Sequence, residues 1–161
     1  MEKDKPLCNG CYGKKNDNKS SIDSYLTAIK YDPGDAGLYY NCALRYKEAG
    51  NEKSAEEFLQ KAIRIKPDYA DARIQIGALY QSKGMFKKAI LEYEGALEHD
   101  RRNFLAYYNM ALAYENVDMK KAVSLWKTAI DIAEEKKDRG QLLPEMRNHL
   151  ARLEAGIRNG H

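Results

Sequence analysis

The chain has 161 residues, 32% of them charged, with a net charge of +3. That is enough length for one domain with its own core, and a charge this mild and evenly mixed argues against a nucleic-acid binder. No apolar run approaches the ~20 residues needed to cross a bilayer, and Met1-Glu2-Lys3-Asp4-Lys5-Pro6 leads into no apolar signal region. Direct membrane insertion and secretion are therefore not expected, and a cytoplasmic location is the default.

Residues 1–19 read as an irregular or degenerate segment. Pro6, Gly10, Gly13 and the polar run from Lys14 to Lys19 are poor helix material. Here lies Cys8-x-x-Cys11, the one motif that could carry chemistry. A redox pair belongs at a helix N-terminus after a strand, and no strand is expected. A zinc site needs a second pair of ligands, which the sequence lacks. Covalent haem attachment needs histidine next, where Tyr12 stands. Inert thiols, a shared metal or intermolecular disulfide, and a redox role stay open for Cys8 and Cys11; no cofactor is expected.

Residues 20–35 read as a single helix, with Ser21, Tyr25, Ala28 and Ile29 on one face and Pro33 after its end. It is the second half of an incomplete hairpin. Residues 36–69 read as two amphipathic helices around a turn at Gly50, with Cys42, Ala43 and Tyr46 before it and Ala55, Leu59, Ala62 and Ile63 after it. Residues 70–103 repeat the pattern with Ile76, Gly77 and Tyr80, then Gly84, then Ala89, Tyr93, Ala96 and Leu97. Residues 104–136 repeat it again with Met110, Ala111 and Tyr114, then Ala122, Trp126, Ala129 and Ile130. The offset is 34 residues, as in Tyr46, Tyr80 and Tyr114, with one residue missing from the third unit near Asn116-Val117-Asp118. A period of that size means stacked supersecondary units. Residues 137–161 read as a capping helix and tail, with Pro144 in its first turn and Leu143, Met146, Leu150, Leu153 and Ile157 three and four apart. A coiled-coil seam is the rival reading of that stripe.

This spacing resembles the tetratricopeptide repeat. The second unit reads Arg73-x2-Ile76-Gly77-x2-Tyr80, then Ala89-x3-Tyr93, then Ala96, and the first closes on Pro67. Two departures stand out. The large first-position aromatic, Tyr39 and Tyr107 in the outer units, is Arg73 in the middle one, and the closing proline of that unit is Arg101. The resemblance covers roughly residues 20 to 136. It implies an all-α fold, an α-α superhelix or solenoid of antiparallel helix hairpins, with a concave face lined by the first helix of each hairpin.

Carried over by position, the family's groove falls on Tyr40, Asn41, Leu44, Lys47 and Glu48 in the first unit and on Asp71, Ile74, Gln75, Ala78, Gln81 and Ser82 in the second. In the third it falls on Leu105, Tyr108, Asn109, Leu112, Glu115 and Asn116. Asn41, Gln75 and Asn109 form an amide series one period apart. A carboxamide both donates and accepts, so one per repeat could hold the main chain of an extended peptide. Tyr40 and Tyr108, with Leu44, Ile74 and Leu112 nearby, could supply apolar anchors. Some members grip the acidic tail of a heat-shock chaperone with lysines and arginines in the groove. Tyr40, Leu44 and Leu105 stand there instead, so that clamp is not expected.

Lys53, Lys87-Lys88 and Lys120-Lys121 open the second helices as a basic rim, a solvated face or a lure for acidic partners. No phosphate loop, catalytic triad or paired carboxylates emerge. The expected function is a non-enzymatic protein-protein interaction scaffold binding a partner peptide or helix. A self-assembling homo-oligomer is the alternative, and a redox or metal accessory protein acting through Cys8 and Cys11 is the third.

Overall fold

The computed structural model describes residues 18–136 and 141–159, and among them finds eight helices and no strand. They are α1 (Asn18–Tyr31), α2 (Ala36–Glu48), α3 (Glu52–Ile65), α4 (Ala70–Ser82), α5 (Phe86–His99), α6 (Phe104–Tyr114), α7 (Met119–Lys136) and α8 (Leu143–Arg158). The fold is all-α. Two compact units divide between Ala72 and Arg73, inside α4.

Short polar side chains start the helices by accepting the backbone N–H groups that a first turn leaves unpaired. Asp35 accepts from Gly37 at 2.7 Å, Asn51 from Ser54 at 3.1 Å and Asn103 from Ala106 at 3.1 Å. Asp118 Oδ1 accepts from both Lys120 and Lys121.

The turns after α2 and α4 are copies of one another. Gly50 and Gly84 take φ of 77° and 71°, a left-handed conformation that costs glycine nothing. Around them Asn51 N–H donates to Tyr46 O and Met85 N–H to Tyr80 O, closing each helix with the same bond one period apart. The turn after α6 is built differently. It runs Glu115-Asn116-Val117-Asp118 without glycine, and Asp118 N–H donates to Tyr114 O at 2.7 Å. Only 15 residues separate the starts of α6 and α7 (119 − 104), against 16 for α4 and α5 (86 − 70). The deletion therefore falls in this hairpin. Arg101 does not disturb the closing turn of its unit: Asp100 before it has φ −127° and ψ 84°, much as Lys66 before Pro67 has φ −127° and ψ 91°. The extended residue, which proline would enforce, forms without it.

In the first unit α1 packs on α2 and α2 on α3, around Cys42, Ala43, Ala55, Leu59 and Ala62, all 1% exposed or less. In the second, α5 packs on α6, α6 on α7 and α7 on α8. Its outer cluster joins Phe104, Ala111, Trp126, Ala129, Ile130, Ile132 and Ala133 to Met146, with Leu143, Leu150 and Leu153 of α8 packed against it. Leu143, Met146, Leu150 and Leu153 of the α8 stripe are thus packed on the α6–α7 cluster within their own unit, which leaves little of it for a coiled-coil seam. Alanine recurs at the closest approaches, and Gly77 is the extreme case. A Cβ there would sit 2.4 Å from Cε1 of Tyr93.

Candidate functional site

In the first unit, the face of α2 offers Asn41 and Lys47 exposed and Leu44 half-buried. Among the described residues the Asn41 carboxamide engages no other side chain. Tyr40 is half-buried, its ring 5.1 Å from that of Tyr69, and the Lys66 ammonium stands 5.4 Å over Tyr69. Burial, then the nearby Asp71 and Asp35, raise the Tyr69 hydroxyl above its ordinary pKa.

On α4 one expected groove residue is corrected. Ile74 is only 3% exposed and belongs to the core. Ala72, Ile76 and Leu79 are buried too, so α4 is apolar around most of its circumference, as a helix covered on several sides must be. Gln75 and Ala78 remain half-buried. Gln81 is engaged within its hairpin. The hydroxyl of Tyr93, fully buried, donates to Gln81 Oε1 at 2.9 Å, and burial pushes that phenol well above its usual range.

One period on, Trp126 replaces Tyr93 and Glu115 replaces Gln81, and the bond is kept: Trp126 Nε1–H donates to Glu115 Oε1 at 2.8 Å. The same oxygen lies 2.8 Å from Nε2 of His149 on α8, whose ring meets the Trp126 ring edge-on at 5.0 Å. Tyr108 is packed against Phe104 at 5.7 Å and edge-on against Trp126 at 5.1 Å. Tyr108 and Leu112 are half-buried and contribute one wall of a recess of about 220 Å³, with Leu142, Glu145, Met146, His149 and Arg152 on the other side. Asn109 keeps partial exposure, and among the described residues its side chain has no partner.

These arrangements have known relatives. A tetratricopeptide-repeat family model matches residues 46–114. The human tetratricopeptide repeat protein 6 is 30% identical over 105 residues, covering 63% of this chain and 20% of its own length. The Hsp70-Hsp90 organizing protein 1 of Glycine max is 32% identical over 79 residues, covering 49% of this chain and 14% of its own length. A crystal structure of MamA superposes with a TM-score of 0.69 at 30% identity, over 74% of this chain and 71% of that one. The chain belongs to the tetratricopeptide-repeat family. It spans at most about a fifth of the length of these two curated relatives.

The family pattern explains Arg73. At the place of the missing aromatic, its guanidinium reaches Glu92 at 3.4 Å and lies beside Gly95, where a Cβ would come within 3.1 Å of Nη1. A long cationic side chain thus replaces a ring by lying over a residue without one. The rim lysines of these tetratricopeptide repeats are not uniformly solvated: Lys88 stands 5.7 Å over the Tyr80 ring and Lys121 5.5 Å over the Tyr114 ring. Cys42 is core, and burial raises its thiol to about 11. Cys8 and Cys11 lie outside the described residues. The cluster of Glu115, Trp126 and His149 went unseen in the sequence. Its legible signal was a buried indole N–H, which always needs an acceptor.

Proposed function

We propose that this chain is a non-enzymatic interaction scaffold whose first helices hold an extended segment of a partner protein by its main chain. One observation carries the reading. A carboxamide is the sixth residue of α2, α4 and α6 alike (Asn41, Gln75 and Asn109), and all three side chains reach the surface at least in part. Asn41 and Asn109 are engaged by no other side chain among the described residues, so their donors and acceptors are available. Each such bond is worth about 0.5–1.5 kcal/mol net. Membership in a family that includes an Hsp70-Hsp90 organizing protein supports a binding role. Among the described residues no helix is long and apolar enough to cross a membrane.

The test is selection of peptides from a displayed library on the folded chain, then measurement of their affinity for Asn41→Ala, Gln75→Ala, Asn109→Ala. The two bonds lost at Asn41 and Asn109 alone predict a weakening of roughly fivefold or more with little dependence on peptide side chains. Undiminished affinity of the triple variant for every selected peptide would remove the ladder from the account.

A further inference from the structure

The recess between α6, α7 and α8 has a composition that points to its occupant. Its floor is aromatic and apolar, from Tyr108, Trp126 and Met146. The His149 ring is held in place by Glu115 and by the edge of Trp126, so this wall is organised before anything enters. The opening is bipolar. Glu145 and Arg152 lie on the α8 side, one turn before and one turn after His149, and neither has an ion-pair partner among the described residues. The neighbouring charges of α8 are spent: Arg147 pairs with Glu134 and Glu154 with Lys127.

The spacing selects the partner's conformation. Seven residues of helix put Glu145 and Arg152 about 10 Å apart along α8. Two residues one turn either side of an anchor on a second helix are also about 10 Å apart and share its face. In an extended chain, residues about 10 Å apart are three positions apart and point to opposite faces. We propose that the recess takes one bulky apolar side chain from a partner's helical segment, flanked a turn away by an acidic residue that meets Arg152 and on the other side by a basic residue that meets Glu145. This deepens the scaffold reading and rests on it, but it concerns a different part of the chain from Asn41 and Gln75.

Trp126 is the sole tryptophan and lines the recess, so its emission reports occupancy. The probe is an alanine-rich helical peptide with one phenylalanine, a glutamate one turn before it and a lysine one turn after. Titration into the full chain is expected to shift Trp126 emission saturably, and replacing the phenylalanine by alanine is expected to weaken binding at least tenfold. The rim is tested by charge reversal at two exposed residues. Arg152→Glu should come to prefer a lysine–phenylalanine–lysine peptide, and Glu145→Arg a glutamate–phenylalanine–glutamate peptide, each by roughly twofold to fivefold as solvent-exposed pairs allow. Circular dichroism confirms that both variants fold. Absence of any emission change up to millimolar peptide, or preferences that ignore the reversals, would overturn the inference, as would an emission change with chain concentration alone, which would make a second copy the occupant. Loss of this response with the amide-ladder binding intact sinks the recess and spares the scaffold; the converse does the opposite.

Discussion

Trp126 and Glu115 repeat, in different chemistry, a bond already present one period earlier. The indole N–H donates to the carboxylate at 2.8 Å where the Tyr93 hydroxyl donates to the Gln81 amide at 2.9 Å. In both hairpins an aromatic of the second helix is buried, and its polar tip finds an acceptor eleven positions after the start of the first helix (81 − 70 and 115 − 104), at Gln81 inside α4 and at Glu115 just past the end of α6. The first hairpin has Leu59 and Lys47 at these places and needs no such bond.

Removing the acceptor should cost more than removing the donor. Glu115→Ala leaves the Trp126 N–H buried and unpaired and should destabilise by about 1–3 kcal/mol. Trp126→Phe followed by Glu115→Ala should cost less for the second step, and urea titration of the double-mutant cycle should return a coupling of about 0.5 kcal/mol or more.

The close approach at Gly77 makes a reciprocal prediction. Gly77→Ala would place a methyl 2.4 Å from Tyr93 Cε1, and overpacking of this kind costs about 1–3 kcal/mol. Adding Tyr93→Leu should recover part of that loss, because the first hairpin carries Ala43 and Leu59 at the corresponding positions. Thermal unfolding of the single and double variants decides it.

The buried Cys42 thiol gives a pH dependence with a definite sign. Its pKa is raised by burial to about 11 from an ordinary 9.0, with Lys61 opposing weakly. The native state thus favours the protonated thiol. The stabilisation is complete below the unfolded value and is lost as pH rises from about 9 through about 11, by up to about 2–3 kcal/mol. Cys42→Ala should show a shallower loss of stability than the parent across that interval, once each is compared with its own value at neutral pH. Equal slopes would show that the thiol is not the titrating group.

Much of the fold was legible because it is periodic. The 34-residue offset and the alanines at close approaches are local regularities, and the hairpins follow from them. The single-residue deletion was legible too, since Asn116, Val117 and Asp118 lie in the one hairpin turn built without glycine. The groove was harder to read. Assigning positions by register treats the first-helix face as open, but Ile74 is swallowed by a helix that is apolar nearly all round, and Gln81 and Glu115 are drawn to buried aromatic tips. Tyr108 packs edge-on against Trp126, and Met146 and His149 of α8 lie against the same tryptophan or its cluster. The captures of Gln81, Glu115 and Tyr108 are made within single hairpins, but they follow from which side chain reaches which across the hairpin, and register alone does not carry that.

The most direct measurement of the central claim is photo-cross-linking of a selected peptide to the chain from a photoreactive residue placed in turn at 41 and 109 on the first helices, and at 57, 94 and 131 on exposed positions of the second helices. Adducts are expected from positions 41 and 109, and none above background from positions 57, 94 and 131. Cross-links concentrated at those three acidic positions would contradict that claim.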